Sequence, residues 1–328
     1  MIAIIGGSGF IGTRLCKLIA RCNRPFIIVD KANSITFPER VILADVRSLA
    51  ELSDALGGVN VLINLAAEHK DDVRPLSLYD EVNVQGAKNL CTVSREKNIN
   101  TIIFTSSVAV YGFAPIGTDE SGQIAPFNDY GRTKYEAEQI YEAWQAEDPS
   151  NRTLVIVRPT VVFGEQNRGN VYNLLRQIAS DSFVMIGKGK NLKSIAYVEN
   201  IAAFLKFAIS LQPGIHVYNY IDKPDFTMNE LISTVHRILG KHEEVGFRLP
   251  YVIGLMIGKG FDIISAITGK RLAISSIRVK KFCANTMFDS RVALSDFVAP
   301  VPLVEALERT VRHEFVELHE NENVFYSE

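Results

Sequence analysis

The sequence predicts a doubly wound α/β fold, a parallel sheet with helices on both faces, and three observations carry that prediction. Short β-branched runs recur through the first 160 residues. Stretches of helical periodicity fill the intervals between them. A glycine-rich turn, Gly6-Gly7-Ser8-Gly9-Phe10-Ile11-Gly12, directly follows the first run. Continuous apolar runs this short suit strands buried on both faces, and alternation with helices implies parallel connections.

The elements follow in order. Ile2–Ile5 reads as the first strand, 26–29 as the second, and Val41–Leu43 as the third. Val61–Asn64, Thr101–Thr105 and 154–157 continue the sheet. Helical patterns cover 79–97 and 130–147, then 171–179, 200–210 and 228–239. The segment 216–220 reads as one more strand returning to the sheet. Residues 1–165, completed by about 195–222, therefore form a Rossmann dinucleotide-binding domain. Residues 166–194 and 223–328 form a smaller, mostly helical substrate-binding lobe. The last ten residues are expected to be loosely held.

Bulk properties narrow the class of function. At 328 residues with a formal net charge of −2, the chain has room for a domain and a lobe, and composition favours neither nucleic acid nor an anionic membrane as main partner. Cys16, Cys22, Cys91 and Cys283 make no C-x-x-C pattern, which fits a reduced cytoplasmic setting without a metal. The apolar stretch 249–268 is interrupted by Lys259 and Asp262, so it reads as a buried or interfacial helix and not as a membrane span.

The turn supplies a pyrophosphate cradle. Gly6, Gly9 and Gly12 permit tight backbone geometry and close helix–sheet packing, with Phe10 and Ile11 opening the helix. Asp30 lies 18 residues past Gly12, at the end of the second strand. A carboxylate there accepts from an adenosine ribose and repels a 2′-phosphate, favouring NAD over NADP. Asp45 and Val46 are placed to reach the adenine edge. Leu65, Ala66 and Ala67 offer small side chains where a ring must pass backbone.

Proton-transfer chemistry is concentrated at mid-chain. Tyr130 and Lys134 are spaced i, i+4 on a helix, and Ser107 ends a strand 23 residues earlier. A tyrosine is a poor base at pH 7, with an ordinary pKa of about 10. An ammonium one turn away is expected to lower it. Ser107 would orient a substrate hydroxyl or carbonyl while Tyr130 moves the proton.

Taken together, the chain resembles the extended short-chain dehydrogenases/reductases, in the NAD-dependent nucleotide-sugar epimerase/dehydratase branch. The resemblance rests on the glycine turn, Asn64-Leu65-Ala66-Ala67, Asn83-Val84-Gln85-Gly86, Thr105-Ser106-Ser107-Val108-Ala109-Val110-Tyr111-Gly112, Tyr130-Gly131-Arg132-Thr133-Lys134 and Arg158-Pro159-Thr160-Val161-Val162-Phe163-Gly164. It implies catalytic positions at Ser107, Tyr130 and Lys134, and a buried asparagine at Asn83 beside the cofactor. Asn170, Lys193 and Arg278 stand where the family meets a substrate diphosphate, with Lys193 in place of a frequent arginine. The family's dehydratases carry Asp-Glu where this chain has Ser107-Val108, which argues against loss of water.

The implied activity is C4 epimerisation of a nucleotide-activated hexose, a UDP-sugar or similar, through a 4-keto sugar in polysaccharide synthesis; the alternative is a 4-keto-sugar reductase using the same residues. A homodimer through the helices at 79–97 and 130–147 is implied as well. The segments Leu249-Pro250-Tyr251 and Thr268-Gly269-Lys270 also look like the 3β-hydroxysteroid dehydrogenase branch, against which Lys188, Lys190 and Lys193 argue. A non-enzymatic NAD-sensing regulator would tend to lose the tyrosine or lysine, and both are present.

Overall fold

The computed structural model describes residues 1–70, 73–268, 275–319 and 322–326. The chain opens with β1 (Ile2–Ile5), α1 (Phe10–Arg21), β2 (Phe26–Asp30), β3 (Val41–Leu43), α2 (Leu49–Ala55) and β4 (Val61–Asn64). Next come α3 (Ser77–Tyr79), a π-helical turn over Asp80–Gln85, α4 (Gly86–Glu96) and β5 (Thr101–Thr105). A 3₁₀ turn (Val108–Tyr111), α5 (Asp129–Ala146) and β6 (Thr153–Pro159) follow. The helix expected over 79–97 is thus interrupted, and the π turn carries Asn83 inward.

The second half contains β7 (Val161–Phe163), α6 (Asn170–Ala179), β8 (Met185–Ile186), β9 (Leu192–Tyr197) and α7 (Val198–Ala208). It continues through β10 (Gly214–Tyr220), β11 (Asp222–Thr227), α8 (Met228–Ile238) and β12 (Arg248–Leu249). Last come α9 (Tyr251–Thr268), α10 (Ser276–Cys283) and α11 (Leu303–Phe315).

One seven-stranded parallel sheet has the order β10-β6-β5-β4-β1-β2-β3. The strand order reverses between β1 and β4, the switch point where such sheets open a crevice at their carboxyl ends. Both faces are covered. Leu52, Leu90, Tyr141 and Trp144 pack on one side from α2, α4 and α5. Leu15, Ile19, Ile201 and Leu205 pack on the other from α1 and α7. Double coverage explains why every residue of β1 and β6 is buried and why Ile2–Ile5 and 154–157 read as unbroken apolar runs.

The lobe is less purely helical than expected. It holds two small sheets, β11-β9-β7 and β12-β8, beside a core of α6, α8 and α11. Leu175, Ile178, Leu231, Val235, Leu307 and Val311 close that core. The carboxyl-terminal residues 322–326 are also better anchored than expected. Phe325 donates to the Gln166 carbonyl and accepts from the Arg168 N–H, each at 2.7 Å, and its ring lies 5.8 Å from that of Phe10. The helix expected within 249–268 forms, but only Gly254 and Gly258 are buried in it, so the buried alternative fails. Gly269 and Lys270 lie outside the described residues.

Candidate active site

The glycine turn joins β1 to α1 at the switch point. Gly6 sits at φ +75°, and a Cβ there would come within 2.7 Å of the Ala66 nitrogen. A Cβ on Gly12 would lie 2.5 Å from the Gly7 Cα. Gly6 and Gly12 are therefore required by close backbone approach, whereas a Cβ on Gly9 would meet nothing nearer than 3.4 Å. Among the described residues no side chain caps α1, and its first turn carries no acid. The opening N–H groups at Phe10, Ile11 and Gly12 have no acceptor within the helix, which fits a pyrophosphate. Gly12→Ala is expected to push α1 off the turn, weakening NAD binding at least tenfold. It should also cost about 1–3 kcal/mol of stability; an NAD titration and a urea melt check both.

Asp30 ends β2 with its carboxylate turned toward that loop. It accepts from the Ser8 N–H and the Ala32 N–H, both at 3.0 Å. Ser8 Oγ donates in turn to the Ala32 carbonyl at 2.9 Å. The carboxylate is thus fixed beside the turn. Asp45 is differently engaged. Its oxygens accept from Arg47 at 2.7 and 3.0 Å, and that hydrogen bonding holds its carboxyl below the usual range. The Val46 side chain is buried and packs against Gly86.

Leu65, Ala66 and Ala67 extend past β4 along the turn. The Leu65 N–H donates to the Ile5 carbonyl at 2.9 Å, and the Ala66 N–H donates to Asn64 Oδ1 at 3.1 Å. Asn83 is buried next to this strand end. Its Nδ2 donates to the Glu68 carbonyl and to Thr133 Oγ1, each at 3.0 Å, and its Oδ1 accepts from the Glu68 N–H at 2.9 Å. The loop after β4 is thereby tied to α5, the helix that bears Tyr130 and Lys134.

Ser107 follows β5 and caps the 3₁₀ turn, its Oγ accepting from the Ala109 N–H at 3.1 Å. Tyr130 opens α5 and is hydrogen-bonded to Ser107. Lys134, buried one turn later, donates from Nζ to the Thr105 carbonyl at 2.7 Å. That ammonium lies 4.7 Å from the centre of the Phe104 ring and 5.9 Å from that of Tyr130. Ser107, Tyr130 and Lys134 thus come together at the carboxyl end of β5.

The electrostatics differ from the simple expectation of a lowered tyrosine pKa. Burial pushes Tyr130 up to about 12, opposed by its hydrogen bond with Ser107. Burial pushes Lys134 down to about 7, opposed by the charge of Glu138. Desolvation of both groups outweighs their mutual effect in the protein alone.

Glu138, the next turn of α5, was not singled out by its sequence context. It accepts from Arg158 Nε at 2.9 Å and from Nη2 at 2.6 Å, a bidentate pair buried at both ends. Arg158 Nη1 also donates to Tyr111 Oη at 2.6 Å, and Tyr111 donates to Asn219 Oδ1 at 2.8 Å. The network fastens α5 to β6 and β10.

On the lobe side, a cavity of about 640 Å³ is lined by Phe113, Gly187, Lys188, Lys190, Tyr251 and Lys280, among others. Phe113 stacks on Phe127, three residues before Tyr130, with ring centres 4.9 Å apart. The cavity therefore adjoins the loop leading into the Ser107–Tyr130 region. Lys193 does not line it. Its Nζ donates to the Lys281 and Ala284 carbonyls at 3.1 and 2.8 Å, and burial pushes its pKa down to about 8. Asn170 is exposed as the first residue of α6, and Arg278 is exposed on α10. The three expected diphosphate contacts are not gathered around this cavity, whereas Lys188, Lys190 and Lys280 line it.

Residues 2–219 match the NAD dependent epimerase/dehydratase family. The whole chain aligns at 48% identity with 99% of N-acetyl-alpha-D-glucosaminyl-diphospho-ditrans,octacis-undecaprenol 4-epimerase of Escherichia coli O157:H7. At 27% identity, 82% of the chain aligns with 85% of UDP-glucose 4-epimerase of Vibrio cholerae. A solved UDP-glucuronic acid 4-epimerase from Bacillus cereus, in complex with NAD, superposes with a TM-score of 0.72 at 19% identity. That superposition covers 95% of this chain and 98% of that one, and it bears on the fold alone.

Proposed function

The chain belongs to the NAD dependent epimerase/dehydratase family, and from that premise we propose that it inverts C4 of a hexose carried on a diphosphate, with a nucleotide sugar as the substrate class. The observation that carries the reading is the meeting of Ser107, Tyr130 and Lys134 at the carboxyl end of β5, beside the glycine turn. When bound, NAD would supply a hydride acceptor that is regenerated within each cycle, so no external oxidant would be consumed. The turn and the opening of α1 would hold its pyrophosphate, and Asp30 its ribose.

In this reading the Ser107 hydroxyl orients the C4 oxygen. Tyr130 removes the C4 hydroxyl proton and later restores it from the same position. Lys134 supports the phenolate by charge once a cationic ring and a substrate displace water from around it. With Val108 after Ser107, no carboxyl pair is at hand to eliminate water from the sugar. The lobe of 166–194 and 223–328 would select the sugar, with Asn170 and Arg278 at its edge and Lys188, Lys190 and Lys280 drawing the diphosphate. The burial of Lys193 between carbonyls gives it a structural role in the lobe. A cytoplasmic setting, where NAD and four unpaired cysteines are at home, and a homodimer through α4 and α5 complete the proposal.

A second reading is favoured by one observation, the exposed apolar α9 beside the lobe cavity. Together with the 48% identical relative, it supports a sugar diphosphate esterified to a polyprenol. Both readings share the same chemistry at C4. Incubating the protein with UDP-GlcNAc, and separately with polyprenyl-diphosphate GlcNAc in detergent, and following the sugar by NMR without added NADH, tests them together. The expected result is the C4 epimer with no net NADH. Conversion only of a 4-keto sugar with added NADH would replace epimerisation by reduction.

A further inference from the structure

We infer that α9 lies in the plane of an anionic phospholipid bilayer and docks the enzyme there, with the lobe cavity opening at the lipid surface. Val252, Met256, Ile263 and Ile267 fall at successive spacings of four, seven and four residues, which is one helical face. They are between 61% and 79% exposed, and Phe247 and Tyr251 extend the patch at its start. No other element among the described residues covers this stripe. At 18 residues the helix is about 27 Å long.

The opposite face is fastened to protein. A Cβ on Gly254 would lie 2.7 Å from Ile186 Cγ2, and one on Gly258 would lie 2.9 Å from the Ser276 backbone. Asp262 accepts from the Ser276 N–H through both carboxylate oxygens at 3.2 Å, which binds α9 to the start of α10. A helix held along one side by glycine packing and a carboxylate cannot also be wrapped in lipid. It can lie half-immersed, with its free stripe toward the acyl chains.

Charge identifies the surface. Residues 247–284 carry seven Lys or Arg and one Asp, a local net of +6 in a chain whose net charge is −2. The single acid is Asp262, already engaged with Ser276. Arg248, Lys259 and Lys280 are exposed around the apolar stripe, as expected of a helix seated at an anionic headgroup layer. A face for a second copy of this chain would not need this excess of one sign. Tyr251 and Lys280 belong both to this surface and to the cavity wall, so docking places the cavity mouth at headgroup depth. Delivery of a polyprenyl-diphosphate sugar by this route rests on the second reading above; the docking itself does not.

The test is co-sedimentation of the full chain with vesicles of phosphatidylglycerol and phosphatidylcholine, compared with phosphatidylcholine alone. The expected result is binding to the anionic vesicles that weakens with salt. Met256→Glu with Ile263→Glu should reduce it at least tenfold, and Lys259→Glu by about fivefold or more. Both positions of the double variant are solvent-facing, so its melting temperature and its turnover of a water-soluble sugar nucleotide should match the parent. Absence of binding, or equal binding by the double variant, would overturn the inference. So would a dimer in light scattering that the double variant dissolves without any vesicle binding, since a second copy would then cover the stripe. Vesicle binding by a protein that turns over neither sugar substrate would remove the proposed activity and leave the docking in place.

Discussion

Tyr130→Phe is expected to lower epimerase turnover by about 10³-fold, within the range that loss of a general acid–base group commonly produces. The substitution removes one oxygen from a ring that opens α5 and leaves the packing of that ring in place. What it takes away is the group hydrogen-bonded to Ser107, the only member of the cluster suited to shuttle the C4 proton. NAD content, measured on the cofactor released by denaturation, should match the parent, because the glycine turn and Asp30 are untouched. The high pKa of Tyr130 in the protein alone, about 12, adds a second expectation. Substrate and cofactor must lower it for the phenol to act near neutrality, so the acidic limb of kcat/KM and that of kcat should differ in the parent. Turnover within tenfold of the parent would remove Tyr130 from the mechanism.

The fold and the pairing of Tyr130 with Lys134 were legible in the sequence because both depend on short-range patterns. A parallel strand buried on both faces must be apolar throughout, so β1 and β5 announce themselves. Tyr130 and Lys134 meet by helical spacing alone. Neither the setting of Lys193 nor the lysines that line the lobe cavity were legible in the same way. Lys193 lies on a strand whose neighbours are set by residues 281–284, roughly ninety positions later, and those carbonyls claim its ammonium. Lys280 reaches the cavity from the same distant helix. The pairing of Asp45 is local, since Arg47 two residues on binds its carboxylate. The apolar composition of α9 stated that it would avoid water but not what would cover it.

Glu138 was equally hidden, since a glutamate on a helix ordinarily faces solvent, and it supports the second large prediction. Glu138→Gln should destabilise the protein by about 3–5 kcal/mol, because it leaves the Arg158 guanidinium buried without its counter-charge. The urea midpoint reads that loss. A second effect separates positioning from mere stability. Glu138 is the charge that raises the pKa of Lys134 against burial, which even with that carboxylate in place holds it down at about 7. If the ammonium supports the phenolate, activity is present below the pKa of Lys134 and declines as pH rises through it. Removing the carboxylate lowers that pKa, so the declining limb should move toward acid. Pairing Glu138→Gln with Arg158→Met removes the stranded cation and should recover much of the stability. The limb should nevertheless stay displaced, because the anion near Lys134 is still missing. A double variant whose pH profile returns together with its stability would show that Glu138 only holds α5 to β6, and would withdraw its electrostatic role in positioning the Lys134 charge.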